Sequence, residues 1–266
     1  MNTMATKAKL NDFDMITAVC VTYGRQKFLE RAIHSFLTQD DKAVRCRELL
    51  ILNTLPIQKL SFEHPNVRII NLPTRPPSLG EARNIAVAEA TGGRIAIWDD
   101  DDVYLPHHLD TLSENWGQDD EWVWIDKRLC ALVDAIVELG QGCHGGCFGF
   151  TKKAWKEAGG YPSLSFGEDV ALVQRITKLP GKRILVGDAV PSFIYCWGNG
   201  AYHVSGGGPD KPDVPGAYAR CEAALNRRLA TGEEKTGNIT LKPKCDEVDW
   251  VGLAGAFMAK SQKKTP

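Results

Sequence analysis

The stretch IAIWDDDDVYLP at positions 95–106 decides how the rest of the chain is interpreted. Its apolar part, with Ile95, Ile97 and Trp98, suits a buried strand, and four consecutive aspartates follow directly. Ligands of open α/β sheets bind beyond the carboxyl ends of the strands, so the aspartates lie where a ligand is expected. Adjacent carboxylates repel one another unless a cation neutralises them, and a hard divalent ion does so. The stretch therefore predicts a metal and phosphate site, with an acidic turn capping a helix near Pro106 as the alternative.

Length and charge limit the classes of protein to which this chain can belong. The chain has 266 residues, of which 43% are hydrophobic, and a formal net charge of -1. One large domain, or one domain with an appendage, fits this length. The near-neutral charge offers no electrostatic case for duplex DNA or an anionic membrane as the main partner. Because no run reaches the roughly 18 apolar residues of a membrane span, and residues 1–14 lack the apolar segment of a secretory signal, we expect a cytoplasmic protein with no transmembrane segment.

The eight cysteines are scattered along the chain. In a cytoplasmic protein they are expected to be reduced thiols. The one cluster, CHGGC at 143–147, has a spacing that would permit zinc, but structural zinc usually needs a second pair of ligands and none follows. The same region, 140–149, contains five glycines, which permit either close backbone approach to a ligand or a tight turn.

Strands and helices alternate over the first hundred residues. Apolar and β-branched runs predict strands, and apolar residues at helical spacing predict helices. Ser78 is predicted to cap a helix, with Glu81 completing a capping box and Gly92 ending it. The other elements are strands at 16–22, 48–53 and 67–71 and a helix at 27–38. This alternation predicts an α/β fold with a mostly parallel central sheet flanked by helices.

The second half predicts shorter elements. Helices are expected over 106–116, 168–176 and 217–229, and strands over 121–125, 183–186 and 193–197, while 130–139 fits either class. An apolar segment at 248–258 is expected to dock on the domain. The predicted organisation is a flexible N-terminal lead over 1–14, a catalytic domain over 15–210 and a C-terminal extension over 211–266. The chain has no Gly-x-Gly-x-x-Gly after the first strand and no P-loop motif.

Five short motifs occur in a characteristic order. They are VTYGR at 21–25, SLGEARN at 78–84, DDDD at 99–102 with Pro106, GGY at 159–161 and GED at 167–169. In this order and spacing the chain resembles the family 2 glycosyltransferases of the GT-A (nucleotide-diphospho-sugar transferase) fold, over about residues 15–205. The resemblance implies a glycosyltransferase that moves a sugar from a nucleoside-diphosphate sugar to an acceptor hydroxyl.

The resemblance also implies roles for the aspartates. Asp99 and Asp101 correspond to the two ends of an Asp-x-Asp motif, in which Asp99 and Asp100 lie at the sugar nucleotide and Asp101, with Asp99, binds Mn²⁺ or Mg²⁺. Such an ion neutralises the charge of the departing nucleoside diphosphate. His203, in a late glycine-rich segment, corresponds to a histidine that completes the metal shell in several such enzymes. The neighbouring glycines at 206–208 suggest a flap that excludes water, although disorder without a catalytic consequence fits them equally.

Glu168 and Asp169 resemble the family's acidic pair on the acceptor side, in which the aspartate is the general base. A carboxylate within hydrogen-bonding reach of an acceptor hydroxyl takes its proton as the oxygen attacks. A single displacement of this kind inverts the anomeric carbon. The alternative is that the two acidic residues only stabilise the N-terminus of a helix through its dipole.

The nucleoside is expected at the end of the first strand. Thr22, Tyr23 and Arg25 lie there, and Arg83 matches an Arg-Asn pair near the nucleotide and metal in the family. Where the family commonly carries Asp-Asp-x-Ser after the second strand, this chain has Asn53-Thr54-Leu55. Asparagine offers both a donor and an acceptor to a base edge. A UDP-sugar is the leading candidate donor, and the base itself stays open.

Several alternatives remain at this point. A nucleotidyltransferase also uses aspartates on a nucleotide-binding sheet, but residues 22–27 are poor in glycine for that class. A degenerate GT-A domain that only binds nucleotide or carbohydrate is the non-enzymatic alternative. The acceptor is open between a glycan, a protein, a lipid-linked sugar and a modified nucleic acid. The sequence makes no prediction of the oligomeric state.

Overall fold

The computed structural model of the chain describes residues 15–44, 46–142, 145–197, 217–245 and 247–263. The strands are β1 (Met15–Thr22), β2 (Cys46–Asn53), β3 (Gln58–Ser61), β4 (Val67–Asn71), β5 (Arg94–Ile97), β6 (Val103–Tyr104), β7 (Trp122–Ile125), β8 (Lys127–Leu132), β9 (Ala135–Gln141), β10 (Phe148–Thr151), β11 (Gly181–Ile184), β12 (Phe193–Trp197) and β13 (Gly237–Thr240). The helices are α1 (Gln26–Leu37), α2 (Leu79–Glu89), α3 (His108–Asn115), α4 (Lys152–Glu157), α5 (Glu168–Ile176), α6 (Ala217–Thr231) and α7 (Trp250–Gln262).

A seven-stranded sheet forms the centre of the fold, in the order β11, β7, β10, β5, β1, β2, β4. β1 pairs in parallel with both β2 and β5, β2 pairs in parallel with β4, and β11 with β7. β10 is the exception, because it runs antiparallel to β5 and to β7. The predicted mostly parallel sheet is therefore confirmed. The parallel register brings the carboxyl ends of β1 and β5 to the same edge of the sheet.

Helices cover both faces of this sheet because the side chains of each buried strand alternate between two apolar clusters. On β1, Ala18 and Cys20 pack into one cluster with α1, whereas Val19 packs into the other with α2. The α1 side chains in the first cluster are Leu29, Ala32, Ile33 and Phe36, and the α2 side chains in the second are Ala82, Ala86 and Val87. α4 and α5 pack on the same face as α2.

The N-terminus of α2 is capped by Ser78, as the sequence predicts, but the helix ends earlier than predicted. The hydroxyl of Ser78 accepts a hydrogen bond from the backbone N–H of Glu81 at 3.1 Å. The carboxylate of Glu81 accepts from the hydroxyl of Ser163, so it ties the helix to the loop ahead of α5. The helix ends at Glu89 with Ala90 as its C-cap, before Gly92.

The segment at 130–139, which the sequence left open, belongs to the hairpin of β8 and β9. Val133 has a φ of 56° in the turn between them. The hairpin belongs to a second, four-stranded sheet in the order β6, β12, β8, β9. A short antiparallel pairing of β6 with β12 brings this sheet against the segment that follows the aspartates.

The C-terminal segments dock on the rest of the fold. β13 pairs in parallel with β3. α7 buries Trp250, Ala254 and Met258 against Leu129 and Ile194 of the four-stranded sheet, as the apolar pattern at 248–258 predicts. Across the described residues, no helix has both the length and the apolar character needed to cross a membrane. All seven cysteines in the described part of the chain are free.

Candidate functional site

The four aspartates lie at the sheet edge where β1 and β5 end, and burial separates them. Asp100, Asp101 and Asp102 are 0%, 7% and 2% exposed. Asp99 is more accessible, with 25% of its side chain exposed. The aspartates therefore do not form a solvated acidic turn, because three of the four carboxylates point into the protein.

Residues at the end of β1 hold the second and third aspartates. The hydroxyl of Thr22 donates to Asp100 Oδ2 at 2.6 Å. The guanidinium of Arg25 contacts both oxygens of Asp100, with Nε to Oδ2 at 3.2 Å, and its Nη1 donates to Asp101 Oδ2 at 2.6 Å. Thr22 and Arg25, predicted from sequence as nucleotide-binding residues, are thus brought directly against the Asp-x-Asp segment.

Arg83 of α2 joins the aspartates to the start of α5. Its Nη2 lies 3.2 Å from Asp99 Oδ1, and its Nη1 lies 3.3 Å from Glu168 Oε1. The Arg83 side chain is only 11% exposed, so it is a buried bridge between two segments that are far apart in sequence. The neighbouring Asn84 serves the fold, because its amide bonds to the backbone of Tyr161 and to the indole of Trp155.

Glu168 and Asp169 begin α5 and have different surroundings. Glu168 is 3% exposed and faces Arg83, whereas Asp169 is half-buried. A Cβ built on Gly145 would lie 3.7 Å from Asp99 Oδ2 and 3.8 Å from Asp169 Oδ2. The carboxylates of Asp99 and Asp169 therefore flank the same glycine. The only sequence signal for Gly145 was the glycine-rich stretch at 140–149.

Acidic side chains outnumber basic side chains in this site. Burial raises the pKa of Asp99 and of Asp102 above the usual range, and it raises the pKa of Asp100 to about 6. Nearby aspartates add to each of these increases, and Arg25 or Arg83 opposes those of Asp99 and Asp100. Six carboxylates meet three guanidiniums here: Asp99, Asp100, Asp101, Asp102, Glu168 and Asp169 with Arg25, Arg31 and Arg83.

A divalent cation fits this donor chemistry. Among the described residues no group of three or more His, Cys, Asp or Glu side chains has the geometry of a metal site. Asp99 and Asp101 offer hard oxygen ligands within an anionic pocket, and Mg²⁺-like ions are commonly held by one or two carboxylates plus substrate phosphates. His203, the predicted third ligand, lies outside the described residues.

Tyr23 and Asn53 occupy the predicted nucleoside side. The guanidinium of Arg75 lies 3.7 Å above the ring of Tyr23, and Arg75 Nη1 pairs with Glu222 of α6 at 3.0 Å. Asn53 is fully buried, and its amide bonds to the carbonyl of Gln58 and the side chain of Asn71, each at 2.9 Å. Its polar atoms hold the loop after β2 in this structure, and its predicted contact with a base stays a prediction.

Three supporting contacts had no signal in the sequence. The hydroxyl of Tyr104 accepts from the backbone N–H of Asp99 at 2.8 Å, while its ring stacks on Trp98 at a centroid distance of 3.8 Å. Arg31 donates to the carbonyl of Asp101 at 2.8 Å, and the N–H of Cys196 donates to Asp102 Oδ1 at 2.9 Å. The Arg31 and Cys196 contacts span 70 and 94 residues, which no local pattern reports.

Comparisons with known proteins agree with the predicted fold. Residues 17–134 match the family described as Glycosyl transferase family 2. No curated protein matches the chain. Residues 1–349 of TarS from S. aureus, in complex with UDP-GlcNAc, are 14% identical with a TM-score of 0.53, covering 81% of this chain and 73% of that chain. The mannosyltransferase PcManGT from Pyrobaculum calidifontis, in complex with GDP-Man and Mn2+, is 16% identical with a TM-score of 0.50, covering 93% of this chain and 79% of that chain.

These matches confirm the resemblance on which the sequence analysis relied. The family match includes most of β1, all of α2 and the four aspartates, and the solved structures share the mixed α/β architecture of the GT-A fold. At identities of 14% and 16%, the structural likeness concerns the fold alone.

Proposed function

We propose that this chain, whose residues 17–134 match Glycosyl transferase family 2, transfers a sugar from a nucleoside-diphosphate sugar to an acceptor hydroxyl, using Mn²⁺ or Mg²⁺ and inverting the anomeric carbon. The observation that carries the proposal is that Asp99 Oδ2 and Asp169 Oδ2 lie 3.7 Å and 3.8 Å from the position of a Cβ built on Gly145. One carboxylate belongs to the Asp-x-Asp segment and the other begins α5. A donor held at Asp99 and an acceptor held at Asp169 would therefore lie close together beside this glycine.

On the donor side, Asp99 and Asp101 are proposed to hold the ion, with His203 as a third ligand. A bound divalent ion neutralises the charge that develops on the departing nucleoside diphosphate. Arg83 fixes the orientation of Asp99 through the contact at 3.2 Å. Asp100 cannot turn toward a ligand without losing its bonds to Thr22 and Arg25, so its part is to orient those two residues.

On the acceptor side, Asp169 is proposed as the general base. It is more accessible than Glu168, and one of its oxygens faces Gly145. As the acceptor oxygen forms its bond to the anomeric carbon, its proton passes to a carboxylate oxygen of Asp169 and the bond to the diphosphate breaks. Glu168 is proposed as a positioning residue, because its carboxylate is buried against Arg83.

The donor is proposed to be a nucleoside-diphosphate sugar, with a UDP-sugar first. The TarS complexes contain UDP and UDP-GlcNAc, and PcManGT contains GDP-Man with Mn2+. Tyr23 and Arg75 present a ring and a guanidinium on the side where the base is expected. The acceptor is left open between a glycan, a protein, a lipid-linked sugar and a modified nucleic acid.

Calorimetric titration with a panel of nucleoside diphosphates and their sugars, each with and without MnCl₂, tests the proposal. We expect one nucleotide to bind with a requirement for Mn²⁺, and its sugar form to be turned over when acceptors are added. Asp101→Asn should lose the Mn²⁺-dependent part of the binding, whereas Asp119→Asn, an exposed aspartate, should retain it. Failure of the folded protein to bind any nucleotide would leave only a domain that binds carbohydrate. Binding without turnover would indicate the degenerate alternative.

A further inference from the structure

Arg25 forms an ion pair with Asp101, whose carboxylate is a metal ligand in the proposed function. Arg25 Nη1 lies 2.6 Å from Asp101 Oδ2, and the rest of its guanidinium rests on Asp100. The Arg25 and Asp101 side chains are only 14% and 10% exposed, so solvent screens their attraction weakly. Any other cation that binds Asp101 must therefore compete with this ion pair.

A divalent ion and this guanidinium cannot share Asp101 without strong repulsion. Like charges a few ångströms apart repel by several kcal/mol at the effective dielectric of about 20 near a protein surface. A cation that binds Asp101 must therefore displace Arg25 Nη1 or pull the carboxylate away from it. Either movement leaves a positive charge in need of an anion.

The diphosphate of the donor is the anion that this arrangement fits. Arg25 follows directly on Tyr23-Gly24 at the end of β1, where the nucleotide is expected, and its planar guanidinium suits bidentate contacts with phosphate. We propose that Arg25 is an exchangeable counter-ion. In the absence of donor, Arg25 pairs with Asp101 and so blocks the binding of the ion there. When the donor binds, its diphosphate pairs with the guanidinium instead, and Asp101 can then bind the ion.

This inference rests on the proposed function and has a thermodynamic consequence. If the same event frees Asp101 and binds the diphosphate, metal and nucleotide must each raise the affinity of the other by the same factor. Couplings of this kind are typically about 5- to 150-fold. The metal should therefore bind weakly to the free protein and tightly to the protein that carries nucleotide.

Mn²⁺ affinity of the full chain, measured by electron paramagnetic resonance of free Mn²⁺, tests the exchange. MnCl₂ is titrated alone and again with saturating UDP or GDP, on the wild type, Arg25→Gln and Arg31→Gln, and the Mn²⁺ that the nucleotide binds by itself is measured without protein and subtracted. In the absence of nucleotide, Arg25→Gln should bind Mn²⁺ about 5- to 150-fold more tightly than the wild type, and nucleotide should tighten its Mn²⁺ binding by a smaller factor than in the wild type, because only the direct phosphate–metal contact remains. Arg31→Gln removes the same charge from the same cluster, but Arg31 donates to the backbone carbonyl of Asp101, so this variant should keep the coupling.

Two outcomes separate the exchange from the proposed function. If the wild type binds Mn²⁺ and nucleotide independently, or if folded Arg25→Gln binds Mn²⁺ no more tightly than the wild type, Arg25 is not a counter-ion that the metal displaces, and the glycosyltransferase proposal stands. If the wild type binds neither Mn²⁺ nor any nucleotide, both proposals fail.

Arg25→Lys keeps the charge without the planar fork, and it should show a reduced coupling between Mn²⁺ and nucleotide. It serves as the test should the glutamine variant not fold, and a coupling equal to that of the wild type would then contradict the exchange.

Discussion

Arg83 and Glu168 form an ion pair between α2 and the first turn of α5, with Nη1 and Oε1 3.3 Å apart. The same guanidinium reaches Asp99 at 3.2 Å, so a single side chain relates the Asp-x-Asp segment to the acidic pair on the proposed acceptor side. Because Glu168 is buried against this arginine, Asp169 is the carboxylate that we propose reaches the acceptor. The first two predictions follow from this division of roles.

Asp169→Asn should retain nucleotide binding and lose transfer. The amide cannot accept the acceptor proton, and general-base catalysis typically contributes about 10²- to 10⁴-fold. The measurement is kcat for transfer beside the Kd of the nucleotide with Mn²⁺. Asp119→Asn provides a control for the removal of one surface charge. A variant of Asp169 with undiminished kcat would exclude this residue as the base.

Glu168 should make the stability of the protein depend on pH. Burial raises the pKa of Glu168 from 4.5 to about 7, despite the opposing charge of Arg83. Between these values the unfolded chain has released the proton while the folded protein retains it, so this group's contribution to stability is full below about pH 4.5 and is lost as the pH rises to about 7.

Glu168→Gln does not titrate, so the free energy of unfolding of the wild type relative to this variant should fall as the pH rises through that window. Urea unfolding at pH 5 and pH 7.5 in the presence of EDTA measures it, with Glu114→Gln, an exposed glutamate of α3, as the comparison. A relative stability that instead increased with pH would mean that Arg83 keeps Glu168 ionised in the folded protein.

Two adjacent glycines should respond differently to alanine. A Cβ on Gly146 would lie 2.3 Å from the ring of Phe193, which is fully buried, so Gly146→Ala should lower the free energy of unfolding by about 1–3 kcal/mol. A Cβ on Gly145 meets only ordinary contacts of 3.7 Å or more. Gly145→Ala should therefore fold normally, but its methyl group would lie 3.7 Å from Asp99 Oδ2 and 3.8 Å from Asp169 Oδ2 and should reduce transfer. Equal stability of the two variants, or full activity of Gly145→Ala, would contradict this view of the site.

Tyr104→Phe should weaken metal binding indirectly, because the Tyr104 hydroxyl holds the backbone of Asp99. The variant keeps the ring that stacks on Trp98 but leaves the backbone N–H of Asp99 without its acceptor. A buried donor left unsatisfied costs about 1–3 kcal/mol, and because this N–H is only partly buried we expect a loss near the lower end of that range, which urea unfolding should detect. Because Asp99 would be less firmly held, the Mn²⁺-dependent affinity for nucleotide should fall as well, as calorimetry would show. Lost stability with unchanged nucleotide affinity would limit Tyr104 to a structural role.

Much of the fold follows from local patterns in the sequence. The β-branched run at 16–22 and the apolar spacing at 27–38 predict β1 and α1 to within a residue at each end. Ser78 caps α2 because a serine hydroxyl at the residue before a helix can accept a hydrogen bond from a backbone N–H of the first turn. The hairpin at 130–139 was not predicted, because an apolar run of that length fits a strand or a helix until its neighbours are known.

The sequence alone determined which residues carry charge and that parallel strands bring them to one edge, because strand direction and motif order are properties of the chain itself. Only the tertiary structure decided which of those charges meet. Arg25 and Asp101 are 76 residues apart and Arg83 joins two different segments, so no local spacing reports either contact. Burial then separates Glu168 from Asp169 and turns the amide of Asn53 inward, since the cost of removing a polar group from water depends on every neighbour that surrounds it.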